Sequence, residues 1–424
     1  MTAKRFLFLL LLLSFVKLPA QTIRLQGTPD PSVDYTRLKR IDSLAGRYVQ
    51  NGWVKGIVTI IVKDNQLIQY KGYGYLDAES GKAMPNDALF RIASQTKAIV
   101  SAGIMTLYEQ GRFYLDEPIS DFIPAFAKTR VLDKFNAADT TYTTVPAKRQ
   151  ITFRDLLTHT SGLDYPIIGS ANMKAIYAKA GISSGLGYIT DDLKERINAL
   201  AGLPLVHQPG EVWTYGLSVD VLGCLVEVMS GQDLETFLTD RIFRPLGMKD
   251  TYFNVPASKA GRLTAVYTED SLHHVVRWEQ VEKAAKEVDP RYPLLHKHYF
   301  SGGAGLTSTA FDYAIFLQMM LNHGKYNGVQ VLAPRTVELM TSGQLDFMYN
   351  GVDNFGLGFG ITSERSAARQ PRNAGSFSWG GFFGTTYWAD PRAKLVCLIM
   401  TQQTPNSHGD LSAKFEQLVY QSLR

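Results

Sequence analysis

The chain has 424 residues, 45% apolar and 20% charged, with a formal charge of +5. That length allows roughly two or three domains around a large core, and a mean hydropathy of −0.09 suits a soluble protein. No basic run marks a nucleic-acid or membrane-surface footprint, and no low-complexity tract suggests a disordered linker.

Residues 1–20 read as an export signal. Lys4 and Arg5 form a basic start, Phe6 to Leu13 are uninterrupted apolar, and Leu18-Pro19-Ala20 offers a small residue before Gln21. Leu18 sits where a small residue is preferred. The apolar core is short for a membrane span, and no later segment is long and apolar enough to cross a bilayer. No cysteine follows the run, which argues against a lipoprotein. The expectation is an exported protein, periplasmic or extracellular, whose residues 21–424 form one catalytic unit. Losing Lys4, Arg5 and Lys17 lowers +5 by three, to +2.

Residues 21–32 read as an exported tail. From Asp34 to Gln50, Leu38, Ile41, Leu44, Ala45 and Tyr48 recur at helical spacing. Gly56 to Val62 is β-branched on both faces, the pattern of a strand buried on both sides. Asp64-Asn65 supplies a turn, and Gln66 to Tyr75 reads as its hairpin partner. Ser94-Gln95-Thr96-Lys97 then opens an apolar helical stretch from Ala98 to Met105. Phe153 to His159, Met173 to Ala180, Val219 to Met229 and Ala310 to Leu321 read as helices. Gln208 to Thr214 is a turn that delivers Tyr215 to the start of one of them. Ser376 to Gly384 enters a strand, Thr385 to Ala389 and Leu395 to Met400 form a hairpin about Asp390-Pro391-Arg392, and Leu411, Phe415, Leu418 and Val419 share the face of a last helix. Strands thus cluster at both chain ends. The expected fold is α+β: an antiparallel sheet built from both termini and flanked by the terminal helices (about 34–114 and 301–424), with a mostly helical part (about 115–300) inserted. A cleft would run along the junction.

Positions i and i+3 share a helix face, so the Lys97 amine can reach the Ser94 hydroxyl and take or share its proton. Ser14-Phe15-Val16-Lys17 has the same spacing without meaning, so the rest of a site must come from elsewhere. A model lysine titrates near about 10.4 and would need burial or a cationic neighbour to act as a base. Tyr215 is the candidate proton relay. The Ser94 backbone N–H, at a helix start, is one candidate oxyanion donor. The paired glycines after Trp379 permit close backbone approach to a ligand. Gly181-Ile182-Ser183-Ser184-Gly185 fits a nucleophile elbow, but a helix rather than a strand precedes it. Cys224 and Cys397 lie in apolar surroundings, as buried thiols or as a disulfide. His273-His274 and His296-Lys297-His298 lack metal-ligand spacing, and no metal or cofactor is implied.

At these blocks the chain resembles the β-lactamase-related, penicillin-recognising serine hydrolases, whose Ser-x-x-Lys motif has a known catalytic role. The resemblance runs from about Ile41 to the C-terminal helix. It is carried further by Phe90 to Ala93, Leu115 to Ile119, Ile151 to Leu163, Pro245 to Thr251 and Gly302 to Thr309. It implies a β-lactamase/transpeptidase-like fold. Ser94 becomes the acylated nucleophile, Lys97 its proton partner and Tyr215 the tyrosine of a Tyr-x-Asn block. Trp379-Gly380-Gly381 takes the place of Lys-Thr-Gly, and the Phe382 N–H that of the second oxyanion donor. His159 falls in a family-typical segment as a structural residue. The asparagine is replaced by Leu217, and the lysine and threonine by Trp379 and Gly380. Losing both polar anchors argues against an anionic peptide-like substrate. With Leu217, Trp379, Gly380 and Gly381 lining the substrate, the chain is similar to the family VIII carboxylesterases.

Three functions stay open: a carboxylesterase on small or medium acyl esters, a D-amino-acid peptidase or β-lactamase acting on amides, and a catalytically silent penicillin-binding-like protein.

Overall fold

The computed structural model describes residues 22–25, 27–187, 191–278 and 288–424. The export signal expected at 1–20 lies outside the described residues. Among those residues, no helix is long and apolar enough to cross a membrane.

The strand Gly56–Lys63 is buried at every interior position, which its β-branched run requires. Val58, Ile60 and Val62 face the main core, while Ile57 and Ile61 face a second one. It pairs antiparallel with Gln66–Asp77 on one side and with Leu395–Met400 on the other. That second pairing joins the two ends of the chain into one eight-stranded sheet. Its order runs from Asn354–Phe355 through Gly360–Ile361, Phe377–Gly381, Thr385–Asp390, Leu395–Met400, Gly56–Lys63 and Gln66–Asp77 to Lys82–Ala83.

The terminal helices Arg40–Gln50 and Leu411–Gln421 close the second core over Ile57, Trp388 and Cys397. The larger core lies on the other face, against the helices Thr96–Glu109, Ser218–Ser230 and Ala310–Leu321. The expected α+β architecture therefore holds: an antiparallel sheet from both chain ends, terminal helices on one face, and a mainly helical middle on the other.

The detail departs from expectation in two places. The middle also carries two hairpins, Arg130–Asn136 with Thr141–Pro146 and Tyr267–Glu269 with Val275–Arg277. The segment read as an exported tail is fastened down: Ile23 is 6% exposed in the main core, and Arg24 bridges to Gln66. Cys224 and Cys397 are free thiols buried in different cores, so they form no disulfide. Burial pushes the Cys224 thiol up to about 12.

Candidate active site

Ser94 lies in a one-turn 3-10 segment, Ala93–Gln95, that runs straight into the helix Thr96–Glu109. Residues Thr96 to Leu107 of that helix are all buried, the mark of a helix apolar all round and enclosed by the core. Ala93, fully buried, has φ +42°, a conformation that non-glycine residues adopt rarely and at a cost of order 1–3 kcal/mol. Its methyl group is clamped in a cluster with Trp278, Tyr292, Ala304 and Phe383. This packing fixes the angle at which half-buried Ser94 leaves the chain.

Lys97 is 2% exposed. Its Nζ donates to the Gly303 carbonyl at 2.8 Å and to Ser94 Oγ at 3.4 Å. It also stands over the Tyr215 ring, 4.5 Å from the centroid, and over Tyr165 at 5.2 Å. The two phenol rings are stacked, 5.7 Å apart and within 5° of parallel. Ser94, Lys97 and Tyr215, separated by 121 residues of sequence in all, thus meet around one amine.

Tyr215 is held by the turn before it. The Thr214 N–H donates to the His159 carbonyl at 2.8 Å and the Gly210 N–H to Thr160. His159 is buried, with its ring 5.0 Å from Tyr215 and 5.6 Å from Phe355. Burial pushes its imidazole well below the ordinary histidine range, so it is a neutral buttress. The family-typical segment around it is scaffold. Thr152 and Asp155 form a capping box for the helix Phe153–Leu157, and Arg149 binds the same carboxylate.

The strand Phe377–Gly381 comes up beside the 3-10 segment that carries Ser94. A side chain on Gly381 would meet the Ile92 carbonyl at 2.4 Å, so glycine is needed for the two backbones to approach. Phe382, the next residue, is half-buried and packs on the cluster that holds Ala93. Trp379 has a role its apolar character does not suggest: its indole N–H donates to the Tyr215 hydroxyl at 3.3 Å. Around that pair the rings of Trp213, Tyr349 and Phe355 form an aromatic wall. Leu217 does not join it: this side chain is 1% exposed and packs into the main core, so it is a helix-start core residue rather than substrate lining. Ser183 sits in a loop after the helix Ala171–Lys179, with no strand leading into it, so the elbow geometry is absent. The loop supports the site instead, since Tyr165 donates to the Ser184 carbonyl at 3.0 Å.

Three participants were not read from the sequence. Asp220, wholly buried on the helix Ser218–Ser230, accepts from Ser301 Oγ at 2.6 Å. Gly303 lies between that carboxylate and Lys97: a Cβ there would fall 2.3 Å from Asp220 Oδ2 and 3.4 Å from Lys97 Nζ. Tyr165 is the third. A signal existed for Asp220, an acid inside the apolar run Val219 to Val226. The Gly303 gap yields one prediction. Gly303→Ala is expected to keep the fold, at a cost of about 1–3 kcal/mol for overpacking. It should lower kcat by about 100-fold by moving the amine off Ser94. Melting temperature and ester kinetics measured together check both halves.

A model of the Beta-lactamase family matches residues 41–421. Protein Rv1367c of Mycobacterium tuberculosis is 35% identical over 375 residues, covering 85% of this chain and 89% of that one. Esterase EstB of Burkholderia gladioli is 29% identical, covering 90% and 94%. Among solved structures, EstCE1, a hydrolase with promiscuous acyltransferase activity, superposes with a TM-score of 0.79 at 25% identity, over 91% of this chain and 99% of that one. With the Ser94–Lys97–Tyr215 cluster built on this sheet and helix arrangement, the chain belongs to the Beta-lactamase family.

Proposed function

We propose that the protein is an exported serine hydrolase that forms an acyl-enzyme on Ser94 and acts as a carboxylesterase on small or medium acyl esters. The observation that carries the ester preference is at Trp379. Where relatives that bind anionic substrates present a lysine, this strand presents an indole that is hydrogen-bonded to Tyr215 and backed by aromatic rings. Such a wall favours the apolar parts of an ester over a substrate carboxylate. The similarity to EstB and EstCE1 supports the same reading.

In the first half-reaction Ser94 Oγ bonds to the ester carbonyl carbon and gives up its proton to the Lys97–Tyr215 pair. The carbonyl oxygen becomes an oxyanion, met by the backbone N–H groups of Ser94 and Phe382. The bond to the alkoxide then breaks, and the alkoxide leaves as the alcohol with a proton from Tyr215. Water repeats the sequence in reverse and frees the acid. Export rests on residues 4–20.

The test is a substrate panel on the wild-type chain: p-nitrophenyl butyrate, a chromogenic cephalosporin and a D-alanyl peptide, with mass mapping of the serine trapped by a fluorophosphonate. Ester turnover with label on Ser94 supports the reading. Preference for the amides would shift the assignment to a peptidase or β-lactamase, and a stoichiometric burst without turnover to a silent binder. Ser183→Ala is expected to retain full esterase activity; its loss would overturn the assignment of the nucleophile.

A further inference from the structure

The terminal helices Arg40–Gln50 and Leu411–Gln421 pack side by side on the sheet face opposite the one that the Ser94 helix covers. Their seam is not filled. A groove of about 420 Å³ runs along it, within the range of about 300–1,000 Å³ typical of small-molecule sites. Its floor is apolar: Leu44 and the Tyr48 ring are buried in the second core, and Leu418 and Trp53 are half-buried against it. Trp53 is held in place, edge-on to Tyr48 at 5.0 Å and stacked on His408 at 4.2 Å.

The charges on the groove are of one sign. Arg40, Leu44 and Arg47 recur at i, i+4 and i+7, so they share a face, with the two arginines about 10 Å apart along the axis. Lys414 stands on the other helix, across the seam. Among the described residues, neither arginine side chain has an ion pair or a hydrogen bond, and no acid lines the groove. Asp410 is engaged with Lys414 and the Tyr48 hydroxyl, which also accepts from Lys414 at 3.1 Å. Asp42, on the arginines' own helix, is taken by Lys71 at 2.7 Å and Tyr73 at 2.6 Å. Arg40 and Arg47 are thus left uncompensated. A cleft lined by one sign of charge over low-dielectric walls concentrates ions of the other sign. A guanidinium offers its donors in pairs that match a carboxylate.

We propose that this groove is a second binding site, for one amphipathic carboxylate: the arginine pair holds its anionic head, and its apolar chain lies on Leu44, Leu418 and Trp53. The apolar surface is recessed between the helices instead of projecting, which suits a dissolved acid better than a lipid surface. The inference does not rest on the acyl-enzyme reading, because the groove and the Ser94 helix lie on opposite faces of the sheet.

The probe is octanoate, with octan-1-ol and octyltrimethylammonium as neutral and cationic molecules of the same chain length. Calorimetric titration of wild type is expected to give one octanoate per chain. Hydrogen bonds to charged groups are worth enough that octan-1-ol should bind about 10-fold more weakly or worse, and the cation not at all. Arg40→Gln/Arg47→Gln is expected to weaken octanoate by about 10-fold or more while octan-1-ol is unaffected. Both side chains are exposed and without partners, so the double variant should fold. A second variant keeps the test decisive if it does not: octanoate should change tryptophan emission in wild type and not in Trp53→Phe. Octanoate that binds the arginine variant as tightly as wild type lies elsewhere, in the catalytic cleft included, and overturns the proposal. So does equal binding of octan-1-ol, or an emission change that survives in Trp53→Phe. Sedimentation with phosphatidylglycerol vesicles that needs both arginines, without octanoate binding, would overturn it in favour of a lipid surface.

Discussion

Ser94→Ala is expected to lower ester turnover by at least about 10⁴-fold, with no trapping by a fluorophosphonate. Removing a nucleophile forfeits the covalent route altogether, leaving only what binding and oxyanion stabilisation give over water. The loss will not be one of folding. Ser94 is half-buried, and its hydroxyl's hydrogen bond to Lys97 is a long one at 3.4 Å. Lys97 keeps its shorter bond to Gly303, and Ala93 keeps its clamp. Removing one such bond costs about 0.5–1.5 kcal/mol at most, a small part of a domain's stability. The melting temperature should therefore stay within a few degrees of wild type while kcat collapses. Activity surviving above about one per cent would place the nucleophile elsewhere and return attention to Ser183.

The reach of the sequence follows from how far each signal extends along the chain. Ser94 and Lys97 are one helical turn apart, so local geometry alone joins them. The strand Gly56–Lys63 and the helix Ala310–Leu321 announce themselves by periodicity. Tyr215 and Trp379 needed the family resemblance, since their hydrogen bond spans 164 residues. Leu217 shows where a motif position misleads: the motif gives its place but not the direction of its side chain, and here it points into the core. Asp220 and Gly303 were missed because their meaning is purely tertiary. An acid in an apolar helix and a glycine in a loop become a buried hydrogen-bond partner and a gap only when the 301–305 loop lies against the helix Ser218–Ser230. The hairpin Arg130–Asn136 with Thr141–Pro146 escaped for a different reason. Its strands are mostly exposed, so no apolar alternation marks them.

Tyr215→Phe is expected to cost about 10²–10⁴ in kcat with KM little altered, because only the proton-handling atom is lost. Phenylalanine keeps the ring, and with it the stack on Tyr165 at 5.7 Å, the contact with Trp379 at 5.6 Å and the face presented to Lys97. The partner left over is the Trp379 indole N–H, which is half-buried, so stability should fall by no more than about 1 kcal/mol. A packing role and a proton-transfer role then separate by leaving group. An ethyl ester expels a strongly basic alkoxide that needs a proton as the bond breaks. A p-nitrophenyl ester or a fluorophosphonate expels a weak base that does not. Tyr215→Phe should accordingly slow the ethyl ester most, the p-nitrophenyl ester less and fluorophosphonate labelling least. Equal slowing of all three would mean that the phenol only holds the amine in place. No slowing at all would leave Lys97 as the sole proton carrier and remove the reason for an indole donor at position 379. The ordering across leaving groups therefore tests the Tyr215–Trp379 hydrogen bond as part of the chemistry rather than of the wall around it.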